Sequence, residues 1–302
     1  MTALAPGLHP GIPEAAYHAD PCETPSLTAS IARLLVTASP LHAYDAHPRL
    51  GAAPHEETPA MSRGTLAHAL LLGTHRAVVL VDAEDWRTKA ARDARDEARA
   101  AGALPVLRRE IEAAHVVASA QRLALQQHGV ELSGTSEVTV VWTERADDGT
   151  EVLCRGRLDH FYDAPPPSIL DIKTASSAHP AACAKHMLAY GYDIQWAAYT
   201  RAVASLRPEA AGRVSMRFAF LETLASGAVA CTVASPAGSM RELGERRWRR
   251  AVNLWARCIR TGHWPDYAPA PIEVDAPPWA LSQDIDAALA IEYRGDAEWR
   301  TT

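Results

Sequence analysis

Lysine is scarce in this sequence: of 30 basic residues only Lys89, Lys173 and Lys185 are not arginine, which makes each of the three conspicuous. The five cysteines (22, 154, 183, 231 and 258) are odd in number and far apart. That spacing argues against a disulfide framework, a zinc finger or a clustered iron–sulfur motif, and predicts buried free thiols in a reducing cytoplasm. No run approaches the ~18 uninterrupted apolar residues of a membrane span. The N-terminal MTALAPGLHPGIPEA has neither a charged n-region nor an apolar h-region, so no secretory signal is expected. What remains is an ordinary globular composition of 302 residues, 48% hydrophobic and 22% charged. This is apolar enough to form a core and excludes wholesale disorder.

The net charge of −6 does not advertise a nucleic-acid binder, but its distribution is uneven. Residues 262–302 carry eight acids and two bases, and the remaining 261 residues are neutral. Within them, 241–260 (RELGERRWRRAVNLWARCIR) hold seven arginines against two glutamates. A basic helix on a neutral body can bind phosphates. Taken alone it is more often a solvated face whose arginine stems cover apolar surface.

The chain shows no internal repeat. Residues 1–25, rich in Pro, Gly and His, read as an irregular arm. A helix starts at Ser26-Leu27-Thr28 and stops near Pro40, and 45–60 read as a loop. A helix from Ser62 to Leu72 ends at Gly73, and VVLVD (78–82) reads as a strand. Helices over 85–100 and 107–128 follow. The period then changes to two: strands over 136–144, 151–162 and 168–174 form an antiparallel meander, with Asp148-Gly149 as a hairpin turn. Helices over 179–189 and 192–205 precede a hairpin of 213–221 and 227–234. A long helix spans 236–261, and an extended APAPIEVDAPP leads to a short helix near 281–291. The order predicts one α/β domain over 26–261, with a mixed sheet flanked by helices, and an acidic, proline-containing tail over 262–302.

The chemistry centres on Gly156-Arg157-Leu158-Asp159 and Asp171-Ile172-Lys173-Thr174. Alternate residues of a strand share a face, so Asp171 and Lys173 point the same way, with Leu170 and Ile172 toward the core. If the preceding strand folds back, Asp159 lies beside Asp171. Two carboxylates and an ammonium suit a hard divalent cation such as Mg2+, whose water becomes a nucleophile that the lysine orients or deprotonates. D-x-K alone is more often a plain salt bridge. The preceding G-R-L-D and the rarity of lysine shift the balance. Gly64 and His68 lie four apart on a helix, as do Gln195 and Tyr199. Alone, His68 would be a hydrogen-bonded core residue, and Gln195 with Tyr199 a boundary pair. Glu137 begins the first meander strand and could reach the same end of the sheet.

The ordered set G-x-x-x-H (Gly64, His68), G-x-x-D (Gly156, Asp159), D-x-K-T (Asp171, Lys173, Thr174) and Q-x-x-x-Y (Gln195, Tyr199) resembles the RecB-like branch of the PD-(D/E)XK nucleases. The Ser26–Leu35 entry helix, TPAMSRGTLAHALLLG, Arg-Thr-Lys at 87–89 and AYGYDIQWAAY are similar to the RecE-type exonucleases (exonuclease VIII) of phages and prophages. The resemblance spans about residues 26–260; each motif is weak, and four in order are strong. It implies a central mixed sheet flanked by helices. It also implies Mg2+ (or Mn2+) held by His68, Asp159, Asp171, the main-chain carbonyl of Ile172 and, less constantly, Glu137. Lys173 becomes the catalytic lysine, with Gln195 and Tyr199 supporting the site or the DNA backbone. The expected activity is degradation of one strand of linear double-stranded DNA from its 5′ end. A RecT-like annealing partner, a ring-shaped homo-oligomer and a role in recombination are expected with it. Arg87, Lys89, Arg246, Arg247, Arg249 and Arg250 are the candidate phosphate contacts. The competing readings are another nuclease of the same branch, an endonuclease included, and a DNA-binding module that keeps the fold without catalysis.

Overall fold

A computed structural model describes the backbone of residues 3–53, 59–73, 78–101 and 103–299, and the side chains within them except those of 59–65 and 292–299. Two compact units divide the chain, Met1–Asp266 and Tyr267–Thr302.

The larger unit is built on a six-stranded sheet. Its strands are β1 (Gly7–His9), β4 (Thr135–Arg145), β5 (Glu151–Tyr162), β6 (Ser168–Thr174), β7 (Ser215–Thr223) and β8 (Val229–Ala234), ordered β1-β4-β5-β6-β7-β8. Only β6 and β7 pair in parallel, so the sheet is mixed as the sequence predicts. The parallel pair needs a crossover, and α7 (Pro180–Tyr190) and α8 (Tyr192–Leu206) supply it. Gly191 joins them at φ +71°, ending one helix and starting the next.

Helices cover both faces. On one side α2 (Ala29–Thr37), α8 and α9 (Gly238–Thr261) bury Trp142, Trp248, Trp255, Leu158, Ile169 and Phe218. On the other, α4 (Pro59–Leu72) and α6 (Arg108–Gln127) close over Leu170, Ile172, Ala219 and Leu221. Each strand of the pair β6–β7 thus feeds alternate residues into opposite cores, which fixes its register.

The structure departs from the sequence expectations where elements are short. Residues 7–9 pair with β4, and α1 (Glu14–His18) buries Tyr17, so the first 25 residues are not an irregular arm. The helix read as running to Pro40 ends at Thr37, and α3 (Pro40–Ala46) restarts behind the Ser39 cap. Residues 54–58 of the expected 45–60 loop lie outside the described residues. Leu104–Leu107 is a strand, β3, pairing in parallel with β2 (Val78–Val81); the helix begins only at Arg108. Between them α5 (Lys89–Ala100) is capped by Thr88, whose hydroxyl accepts from Ala91 N at 3.2 Å.

The smaller unit holds α10 (Pro278–Trp299), longer than the sequence suggests, with Leu281, Ile285 and Leu289 exposed. Among the described residues, no helix is long and apolar enough to cross a membrane.

Candidate active site

A break in the sheet gathers the polar side chains. β4 and β5 hold one register along their length, with Val138 opposite Leu158 and Ser136 opposite His160. Glu137, which falls opposite Asp159, adopts a left-handed backbone with φ 55°. That conformation costs a non-glycine residue roughly 1–2 kcal/mol. It also breaks the strand's alternation. Val138 and Leu158 face the α8–α9 core, whereas the Ser136 hydroxyl donates to Leu72 O at the end of α4. Glu137 and Asp159 project at the break, and His68 of α4 reaches both. Its Nε2 lies 3.2 Å from Asp159 Oδ2 and its Nδ1 3.4 Å from Glu137 Oε1.

The β5–β6 ladder starts only at His160–Leu170. Just beyond its end, Asp159 Oδ2 accepts the Ile172 N–H at 2.8 Å, taking the place of a strand carbonyl. Asp171 thereby comes to lie beside Asp159. It is buried, and two neighbours hold it: Lys173 Nζ sits 2.5 Å from Oδ1, and the Gln195 amide of α8 donates to Oδ2. Lys173 Nζ also lies 4.3 Å from the ring centre of Tyr192 and 5.9 Å from that of Phe218.

The electrostatics follow from this crowding. Burial disfavours the His68 cation, but Asp159, then Glu137 and Asp171, outweigh it and raise its pKa to about 9. Burial, with the charge of Asp159 behind it, pushes Asp171 up to about 6. Burial likewise raises Glu137, again with Asp159 adding. Asp159 goes the other way: burial opposes its charge, yet His68 and Lys173 hold it below the ordinary carboxylate value. Burial opposes the Lys173 ammonium as well, but Asp171 and Asp159 raise its pKa. These are the shifts of three carboxylates and their cations buried against one another.

One ligand atom each from His68, Glu137 and Asp159 lies within 4.8 Å of the others, the spacing a single ion needs. Asp171 Oδ1, beside them, is buried and held by the Lys173 ammonium at 2.5 Å. A nitrogen and two carboxylates within reach of one point, with a third carboxylate beside them, fit a divalent cation. Glu137, the weakest of the sequence candidates, falls inside the closest group. Asp171 falls just outside it.

Other candidates take different places. Tyr199 is buried, and its hydroxyl accepts the Arg157 N–H at 3.3 Å, so it packs on β5. Gly156 is glycine for this reason: a methyl there would lie 2.5 Å from Tyr199 Cε1. Arg87 pairs with Asp85 at 3.3 Å in the β2–β3 region, and Lys89 opens α5 nearby. Along α9, Arg246 pairs with Glu242, and Arg247 with buried Asp193 at 3.1 Å. Arg249 pairs with Asp147 at the β4–β5 turn, eight residues along β5 from Asp159, roughly 25 Å of extended chain. Arg247 and Arg249 therefore tie α9 to the body. Arg250 is exposed and makes no ion pair among the described residues.

Sequence reasoning missed the role of Arg157, the second residue of G-R-L-D. Its guanidinium pairs with Glu137, donates to Ile12 O at 3.2 Å and lies 5.6 Å from the Tyr17 ring centre. The signal was present: a cation two residues before Asp159 in a strand must share its side of the sheet. We expect Arg157→Ala to weaken Mn2+ binding about 10- to 100-fold in titration calorimetry, with Arg157→Lys recovering part of the loss. Unchanged affinity in both variants would remove Arg157 from the site.

Comparison with known proteins bears on the fold and the family. No curated protein matches the chain. Among solved structures, a "Putative exonuclease" from Eubacterium rectale superposes with a TM-score of 0.54 at 11% identity, covering 84% of this chain and 90% of that one. A phage-related exonuclease from Haemophilus somnus 129PT gives a TM-score of 0.30 at 14% identity, over 65% of this chain and 95% of that one. The first shares the fold, and the second is too distant to support an argument. The family profile described as the PD-(D/E)XK nuclease superfamily matches residues 26–270, which take in every element that carries His68, Asp159, Asp171, Lys173 and Gln195. The chain belongs to the PD-(D/E)XK nuclease superfamily.

Proposed function

We propose that the protein is a divalent-metal-dependent exodeoxyribonuclease of RecE type. On this reading it degrades one strand of linear double-stranded DNA from the 5′ end and leaves a 3′ single strand. The observation that carries the nuclease reading is the meeting of Asp159, Asp171, Lys173 and His68 at one break in the sheet. The motif order and its likeness to RecE-type exonucleases support the finer assignment. A RecT-like annealing protein and a ring-shaped homo-oligomer belong to the same proposal, as do Mg2+ as the metal and a cytoplasmic location.

His68, Glu137, Asp159 and Asp171, with the main-chain carbonyl of Ile172, would hold the cation. When bound, a divalent cation supplies neutralisation of phosphate charge and activation of the attacking water. Asp159 is oriented by the Ile172 N–H, and Asp171 by Gln195. Glu137 is oriented by Arg157. Lys173 presents an ammonium beside Asp171, where it meets charge building up on the scissile phosphate. The ammonium is steadied by the faces of the Tyr192 and Phe218 rings. Arg87, Lys89, Arg246 and Arg250 remain the candidates for sequence-independent phosphate contacts, whose contribution falls with salt.

Polarity is tested by digesting a linear duplex labelled separately at each end. The proposal expects early release of 5′-end label and persistence of 3′-end label. The reverse order would overturn the polarity while leaving the nuclease.

A further inference from the structure

An aromatic stack leads from the core to solvent past the candidate catalytic lysine. Phe218 of β7 is fully buried. Tyr192 lies on it with ring centres 5.6 Å apart and planes within 19°. Tyr190 lies on Tyr192 at 5.7 Å and 29°. Tyr190 is the outermost ring and is 58% exposed. Its remaining ring neighbour, His186, is tilted by 52°. The stack exists because of the sequence Tyr190-Gly191-Tyr192: glycine at φ +71° turns the chain between α7 and α8, so two tyrosines two residues apart face one another.

Burial does not explain Tyr190. A ring more than half in solvent adds little to the core, and an exposed aromatic stacked in near-parallel register is shaped to receive another flat ring. The middle of the stack touches the chemistry, because Lys173 Nζ sits 4.3 Å from the Tyr192 ring centre. A phosphate that meets Lys173 carries a nucleoside on each side, and one of these must lie toward the open end of the stack.

We propose that Tyr190 is a stacking platform for a nucleobase of the strand being cut, next to the scissile phosphate. This inference rests on the nuclease reading. The base it takes is unpaired or terminal, because a base inside a duplex has both faces covered. Stacking accepts all four bases, since each has a π face, which suits an enzyme that must digest any sequence.

The test uses the full chain and single-stranded oligonucleotides carrying 2-aminopurine at successive positions. Binding is measured with Ca2+, and strand integrity is checked on a gel. The wild type, Tyr190→Phe and Tyr190→Trp should quench fluorescence at one position near the bound end. Tyr190→Ala should lose that quenching and bind about 5- to 100-fold more weakly. An abasic site at the same position should erase the difference between wild type and Tyr190→Ala. Equal affinity and equal quenching in wild type and Tyr190→Ala, with DNA cleavage by the wild type intact, would overturn the platform alone. A wild type that neither binds nor cuts DNA would overturn the nuclease reading and the platform with it.

Discussion

Lys173→Ala should slow phosphodiester hydrolysis about a thousandfold, with the fold retained by circular dichroism. The size of the effect follows from where the ammonium sits. It is the basic group in direct contact with Asp171, placed to meet charge developing on a phosphate. Removing a single preorganised electrostatic group from an active site costs about a hundredfold to a thousandfold in rate. The variant keeps its fold because the Tyr192 and Phe218 rings beside the Lys173 ammonium remain packed on each other. Asp159→Asn should be at least as damaging, and for a different reason. Asp159 Oδ2 both accepts the Ile172 N–H and lies 3.2 Å from His68. Single-turnover digestion of a linear duplex with excess Mg2+ separates the two: the lysine variant should still bind the cation, whereas the aspartate variant should bind it weakly.

The second large effect is on stability. Asp20 is buried and held by Arg155, Ser26, His47 and the Cys22 N–H. Arg155 Nη1 lies 3.1 Å from Oδ1, and the Ser26 hydroxyl donates to Oδ1 at 2.7 Å. The Ser26 N–H donates to Oδ2 at 2.9 Å, and His47 Nε2 lies 3.4 Å away. This cluster fastens the N-terminal segment and α2 to β5, inside the same strand that carries Asp159. Asp20→Ala leaves Arg155 buried without its carboxylate, a loss expected to cost about 3–5 kcal/mol. For a domain of this size the melting temperature should fall by on the order of 10 °C. Burial works against the Asp20 charge, but the His47 hydrogen bond and the Arg155 guanidinium hold its pKa far below the ordinary 3.8. A depressed carboxyl stabilises the fold above its unfolded value, and that contribution drains away as the pH falls below about 4. Asp20→Asn should therefore flatten the acid limb of the stability curve. A melting temperature within a degree or two of wild type in both variants would show that the cluster is not a fastening.

The heart of the site was legible in the sequence, and its surroundings were not. D-x-K in a strand can place its two side chains only on one side, and Asp171 and Lys173 do touch. G-x-x-D and G-x-x-x-H contribute Asp159 and His68 to the same cluster. The left-handed turn at Glu137 could not be read, because nothing in SEVTVVWTE forbids a regular strand there. It is that turn which lets Glu137 join His68. The short elements were lost to weak local signals: three residues of β1 and four of β3 carry no periodicity. Along the arginine helix, the pairing of Arg247 with Asp193 and of Arg249 with Asp147 could not be read, because those acids are distant in sequence and brought near only by folding. Arg157 lies inside a motif, but its partners Glu137, Ile12 and Tyr17 come from three other parts of the chain.

The most direct measurement compares a linear duplex with the same DNA as a closed circle, using wild type and Lys173→Ala, with Mg2+ or Mn2+ and with chelator. The account predicts metal-dependent digestion of the linear DNA by wild type, an intact circle, and no digestion by Lys173→Ala. A folded wild type that binds DNA but cuts neither form with either metal would contradict it.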